Sequence, residues 1–314
     1  MPTYTNLKYV RRAGEPLLTE QLEDNLISFF DYGLVNTGHF YNVSIAQSGA
    51  YGPNNSKLSL ASLPNYTTGQ VWQSYRKNWV NDTDIEYATL PINVSGVYVN
   101  NVFQPSSGVG AYAHKVDFKN GRVVFTSPIS TSSVVKAEFS WKSVAIERAE
   151  HPYFRNIQDD SYKSNAPSLS TPNSGLYSIP AENRVQLPAV FVEVLSNRYF
   201  EPREIGGGSI VSNGVHFHVV AENSRDRGHL IDIISCQYQK EFWLYDKRTA
   251  PFQLEPDGSK ASGAMSYPMM VSESGCRWRE CYFEMSMVED VGLNAPGLFI
   301  GSVRLTPKII MPEV

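Results

Sequence analysis

Hydrophobic positions change their spacing repeatedly along the chain. Near the start, Leu22, Leu26, Phe29 and Phe30 recur at intervals of three and four, which places them on one face of a helix. Thr19 stands where a cap would accept the first free backbone amides, and Glu20, Glu23 and Asp24 suit the positive end of the helix dipole. Gly33 offers a stop. A strand-like phrase over 40–45 comes next, then a stretch rich in Gly, Asn and Ser up to Tyr66. Within 70–80, Trp72, Tyr75, Trp79 and Val80 return to near-helical spacing and predict a short amphipathic helix.

From Val94 the period becomes two. Val97-Tyr98-Val99 and Val102-Phe103 flank Asn100-Asn101, a pair that tolerates the left-handed backbone of a tight hairpin. A second hairpin is signalled by Asn120-Gly121 between 116–118 and 122–125. Val135, Ala137, Phe139 and Trp141 alternate with polar residues, as a strand with one wet face would. Together these predict a small antiparallel β-sandwich or barrel.

The stretch 156–184 has no hydrophobic period and contains Pro167, Pro172 and Pro180, so it reads as a polar linker or arm. Beyond it, Val190, Val192 and Val194 share one strand face, and Gly206, Gly207 and Gly208 break the chain. Val215, Phe217 and Val219 share the face of a second strand, and a helix is predicted over 227–238. Strands are expected over 267–271, 278–288 and 299–305, with Phe283, Met285 and Met287 on one buried face. The predicted class is α+β and β-rich. Its parts are an N-terminal helical segment (1–38), a hairpin-rich sandwich domain (39–155), a linker (156–184) and a sheet-and-helix domain (185–314).

Composition narrows the function classes. The 314 residues are long enough for two cores, and a formal net charge of −4 gives no global positive field to draw in nucleic acid or anionic lipid. No run of about 18 apolar residues would span a bilayer, and the first residues lack an apolar signal core, so folding in a cytoplasm is expected. Cys236, Cys276 and Cys281 form no disulfide framework. The Asn-x-Ser/Thr matches at Asn42, Asn54, Asn65, Asn81 and Asn93 then read as by-products of a turn-rich composition rather than glycosylation sites.

The words Phe217-His218-Val219-Val220-Ala221-Glu222 and His229-Leu230-Ile231-Asp232-Ile233-Ile234 resemble the assembly domain of tail-terminator and neck proteins of tailed bacteriophages. The hairpin phrases around Asn100-Asn101 and Asn120-Gly121 are also similar to segments of phage structural proteins. The resemblance implies a virion structural protein that forms a sixfold ring between head and tail. Partners would be other copies of the chain and the neighbouring connector and tail proteins. Genomic DNA would pass the channel without specific binding, no membrane would be involved, and assembly would take place in the host cytoplasm. About 180 leading residues exceed the single small domain of a minimal tail terminator, so a stopper, tail-completion or baseplate component would fit the same features.

Gly206, Gly207 and Gly208, as a loop at a subunit seam, and Arg225, Asp226 and Arg227, as charges for a neighbour, are the expected interface residues. A different reading is a glycan- or receptor-binding β module of a tail or baseplate, with Tyr66, Trp72 and Tyr75 stacking on sugar rings. The basic and aromatic residues Trp72, Tyr75, Arg76, Lys77 and Trp79 would also suit single-stranded nucleic acid, although the acidic balance favours packing.

No catalytic or cofactor-binding group is expected. The triple glycine is neither a dinucleotide fingerprint nor a phosphate loop, and no nucleophile motif is present. Asp159-Asp160 and Glu289-Asp290 are no better placed for glycoside hydrolysis than any other acidic pair. His216 and His218 project from one strand face, followed by Glu222, Asp226 and His229, a set able to hold zinc or manganese. The plainer reading of that set is a polar sheet face or a subunit contact, so no metal is expected.

Overall fold

The structure, a computed structural model, describes residues 13–14, 17–45, 56–152, 154, 185–203, 208–251, 253–295 and 298–311. It is β-rich α+β, with antiparallel sheets, one mixed sheet and a few helices. Two compact units form. One draws on Met1–Asp31, Ala145–Ala250 and Tyr267–Val314, the other on Tyr32–Val144 and Pro251–Ser266. This division differs from the expected boundaries in three places: the N-terminal segment divides at Asp31, the chain from Ala145 joins the first unit rather than the sandwich domain, and 251–266 leaves the C-terminal stretch. The expected linker falls outside the described residues. No helix among the described residues is long and apolar enough to cross a membrane.

Among the described residues, the second unit holds nine short strands: β1 (Phe40–Val43), β2 (Ser59–Ala61), β3 (Val71–Gln73), β4 (Gly96–Val99), β5 (Val102–Pro105), β6 (His114–Asp117), β7 (Arg122–Phe125), β8 (Val135–Ala137) and β9 (Phe139–Lys142). They pair as β2-β3-β7-β6, β5-β4-β8 and β1-β9, all antiparallel. All of them but β2 and β5 contribute side chains to one core, in which Trp79 stacks on Phe139 at 4.2 Å. The Asn100-Asn101 hairpin forms as expected, both residues having positive φ.

The expected helix over 70–80 is instead strand β3 and an irregular run in which Asn78 has positive φ. Val71 and Trp72 are consecutive and both buried, which needs a strand between two layers, and short apolar runs do not separate the two periods. The expected single strand over 135–141 is two, because the chain changes partner at Glu138: β8 pairs with β4 and β9 with β1.

The first unit is built on a six-stranded sheet in the order β10-β11-β12-β15-β14-β13. Its strands are β10 (Ala145–Arg148), β11 (Ala189–Pro202), β12 (Ser209–Ala221), β13 (Glu241–Tyr245), β14 (Arg277–Ala295) and β15 (Leu298–Met311). Within it, β10 and β11 are the pair that runs parallel. Val215, Phe217 and Val219 all point to one face of β12 and are fully buried. On that face lie helix α2 (Ser224–Ser235) and the first part of helix α1 (Leu18–Asn36), whose Phe30 meets Phe217 edge to face at 4.9 Å. Glycine at 301 permits the close approach of α2: an added Cβ would stand 2.4 Å from Ile231 Cδ1.

Several element limits differ from expectation. Helix α1 runs past Gly33 to Asn36, and Gly38, with φ +94°, supplies the left-handed turn after it. Helix α2 starts and ends three residues early, because the Asn223 side chain accepts from Asp226 N at 2.8 Å and fixes the start. The stretch expected as a strand over 267–271 is helix α3 (Tyr267–Ser272): Pro268 sits in its first turn, and Tyr267 and Met270, three apart, are its buried residues. In β14, a register shift between Phe283 and Ser286 breaks the expected buried face, leaving Phe283 buried and Met287 exposed.

Candidate functional site

Of the expected interface residues, Gly208 lies just before β12 with φ +74°, whereas Gly206 and Gly207 fall outside the described residues. Arg225 and Asp226 are exposed in the first turn of α2. Arg227 is half-buried, its Cδ near Gly301. Asp226 is engaged by Asn223, which donates to its carboxylate at 2.7 Å.

The two outer margins of the six-stranded sheet differ. Along β13, several backbone groups are taken by side chains of the same unit. The Asn25 side chain from α1 donates to Tyr245 O at 3.0 Å and accepts from Tyr245 N at 2.7 Å. One helical turn earlier, Gln21 accepts from Lys247 N and donates to Asp246 Oδ1, both at 2.9 Å. The Tyr267 hydroxyl donates to Trp243 O at 2.5 Å. Around this clamp, Glu20 and Asp24 of α1 pair with Lys247, and Glu23 and Asp24 pair with Arg148 of β10. Burial raises the Glu23 carboxyl, with Arg148 opposing the shift.

The other margin is the four-residue β10 and, past its end, the outer half of β11. The first four residues of β11 pair with β10, but no described strand lies beside its outer half. There Tyr199 is 65% exposed and Phe200 60%, adjacent residues that point to opposite faces. Arg198 and Glu201 flank them, and Pro202 ends the strand.

The sheet face away from α1 and α2 divides into two regions. Phe154 stacks on Phe191 at 4.7 Å in an apolar cluster with Ala189, Val220, Leu298 and Ile300. Next to it the face turns polar. Glu193 lies directly across from His216, and His218 lies two residues on along β12. His218 Nε2 is 2.9 Å from Glu193 Oε2, and one ligand-capable atom from each of the three residues falls within 4.8 Å of the others. Phe154 covers one side of His218, ring centroids 4.8 Å apart. Burial, and then the neighbouring His218, push the His216 imidazole below its ordinary range, with Glu193 and Glu289 pulling the other way.

On the next strand, Ser302 lies across from His218 and Arg304 across from His216. Ser302 is 3% exposed, and neither its Oγ nor Arg304 Nε has a hydrogen-bond partner among the described residues. The sequence points to both histidines, but its spacing directs the search for further ligands to Glu222, Asp226 and His229. Those three lie at the start of α2, which packs on the opposite face. The third member is Glu193, from the neighbouring strand.

In the second unit, Trp72 is buried and its indole donates to Gly69 O at 3.1 Å, which removes it from any stacking surface. Tyr66 and Tyr75 remain exposed. The Arg76 guanidinium lies over the Trp141 ring at 4.2 Å and the Tyr75 ring at 4.9 Å. Asp159 and Asp160 are outside the described residues. No protein-family profile matches this sequence, and no curated protein is similar to it at a significant level.

Proposed function

We propose that the chain is a structural protein of a tailed-bacteriophage virion that forms a ring in the neck between head and tail, as a tail terminator or neck component. It acts by subunit assembly, with other copies of itself and adjoining connector and tail proteins as partners. The observation that carries this reading is the outer half of β11, an edge strand with two exposed aromatic side chains and no described strand beside it. An edge of this kind is a template for pairing with another chain, and proteins usually blunt it. Here Arg198, Glu201 and Pro202 limit pairing to a short segment, which suits one specific partner better than open-ended stacking.

A ring requires a heterologous contact, in which this edge meets a different patch on the next copy. Exposed Met287 and Val288 on β14 and Trp243 on β13 are apolar surface for such a contact. Strand β12 and helix α2 carry the words that resemble tail terminators, and the exposed Arg225 and Asp226 of α2 would supply charged contacts at the rim.

Native mass spectrometry with negative-stain microscopy across a concentration series tests the proposal. A closed ring, six copies being the expectation from the resemblance, supports it. A two-fold dimer formed by pairing two β11 edges would sink it. A monomer that binds glycans on an array would favour the receptor-binding alternative, which now rests on Tyr66 and Tyr75 without Trp72.

A further inference from the structure

We infer that Glu193, His216 and His218 form a binding site for a divalent transition-metal ion, with zinc the best match, that ties β11 to β12 where their backbone ladder is interrupted. The inference is independent of the assembly reading.

The argument begins with the strand. Residues two apart on a strand project from the same face, so the His-x-His spacing of β12 stands the imidazoles of His216 and His218 side by side, ring centroids 5.6 Å apart. The register of β11 then sets a carboxylate opposite the first of them. Two imidazoles and one carboxylate are a ligand set that suits zinc and leaves a coordination position for water. Their ligand atoms are already within 4.8 Å of one another, so side-chain rotations suffice to converge on one ion. In the metal-free form, His218 Nε2 donates to Glu193. On binding, that ring holds its proton on Nδ1 instead, and both Nε2 and the carboxylate oxygen face the ion.

The surroundings fit a cation held near the surface. Glu193 is 46% exposed and His218 15%, which leaves an entry path on the carboxylate side and a sheltered imidazole beneath Phe154. Ser302 Oγ, buried and without a described partner, lies across from His218 and is available to a metal-bound water. Glu289, across from Ser302, adds negative charge, while Arg304 across from His216 opposes it. The position also gives the ion a task. The pairing of β11 with β12 shifts between Val194 and Arg198, immediately after Glu193, so the ion would hold the register next to that irregularity.

The test uses the whole purified chain, stripped with a chelator, dialysed, and titrated with Zn2+ by calorimetry and with Co2+ by visible absorption. The expected result is saturable binding of one ion per chain, with Co2+ bands of a low-coordinate nitrogen and oxygen site. His216→Gln, His218→Gln and Glu193→Gln should each weaken binding by at least the roughly 10–100-fold that loss of an outer-shell partner costs a metal site. His229→Gln should leave it unchanged. Should a variant fail to fold, carbethoxylation of the wild-type histidines, located by peptide mass spectrometry, gives the same answer: Zn2+ should protect His216 and His218 and leave His229 reactive. Absence of stoichiometric binding, or binding that neither depends on these residues nor protects them, would overturn the inference.

Discussion

The six-stranded sheet ends in two edges of opposite character. At β13, Asn25 and Tyr267 reach across from helices and take hydrogen bonds that another strand would use, and Gln21 does the same just past the strand's end. At the outer half of β11, the described structure supplies no strand, and Tyr199 and Phe200 stand exposed. Among the described residues, the same physical hazard, a row of unpaired backbone groups, is met by buried side chains on one side and by a few flanking charges and a proline on the other. A difference of this kind between two edges is what the heterologous contact of the proposed ring would use.

The most damaging way to break this comparison is to remove the clamp. Asn25→Leu leaves Tyr245 N and O buried without partners, and each such group costs about 1–3 kcal/mol, so a loss of roughly 2–6 kcal/mol is expected in urea unfolding. The substitution should also raise nonspecific self-association, because a second edge becomes available; unchanged stability would mean that the clamp only decorates the edge. Tyr267→Phe removes one donor from Trp243 O and keeps the ring in place, so its cost should be near 1 kcal/mol. A double-mutant cycle of the two should be close to additive if they guard separate residues of β13, as their distinct partners imply.

The parts of this arrangement legible in the sequence are those with local signals. Hydrophobic alternation marks the core faces of β11 and β12, since Val190, Val192, Phe217 and Val219 follow a period of two and are all buried. Asn100-Asn101 announces its hairpin. The clamp is not legible: Gln21 and Asn25 are polar residues outside the apolar set of α1, and only the tertiary structure shows that they are 1% and 0% exposed against β13 and the chain just after it, some 220 residues away. The polar trio is half legible. His-x-His is visible, but counting pairs inward from Pro202 and Ser209 puts Leu195 across from His216. The register shift after Val194 brings Glu193 there instead, and no local residue pattern encodes it. The helix expected over 70–80 fails for a related reason. Its tryptophans mark a core shared by two layers, not one helical face.

Acid offers a finer way to separate the edges, because a titrating carboxylate belongs to the clamp. Burial raises the Asp246 carboxyl, but hydrogen bonds from Arg248 and Gln21 outweigh it and hold the folded-state value below the ordinary 3.8. A depressed carboxylate contributes stability that is complete above the unfolded value and lost as pH falls through the folded one. The stability difference between wild type and Asp246→Asn should therefore be steady above about pH 5 and shrink towards pH 3. Because Arg248 is partly solvated, the difference should stay below about 1 kcal/mol. A difference that grows on acidification would mean that Asp246 is not the clamped carboxylate. His216 adds a background slope of its own, which the comparison with Asp246→Asn cancels. Its neutral form is favoured by the fold, so the unfolded chain takes up that proton first as pH falls through 6.5 and stability declines there in both proteins.

The smallest effect on folding belongs to the open edge, and there the contrast with β13 becomes sharpest. Tyr199 and Phe200 are mostly solvated in the single chain, so the double substitution Tyr199→Glu with Phe200→Glu should change unfolding stability by no more than about 0.5 kcal/mol per site. On the proposed assembly reading its effect should be large. Two like charges on a short pairing segment oppose both strand addition and aromatic burial, so native mass spectrometry should show monomers at concentrations where the proposed ring would form with wild type. Asn25→Leu is expected to do the reverse, lowering stability while leaving the β11 contact in place. If the charged pair assembles as wild type does, the exposed aromatics are solvent-facing edge residues with no partner, and the ring contact must be sought on another surface, beginning with Met287 and Val288 of β14.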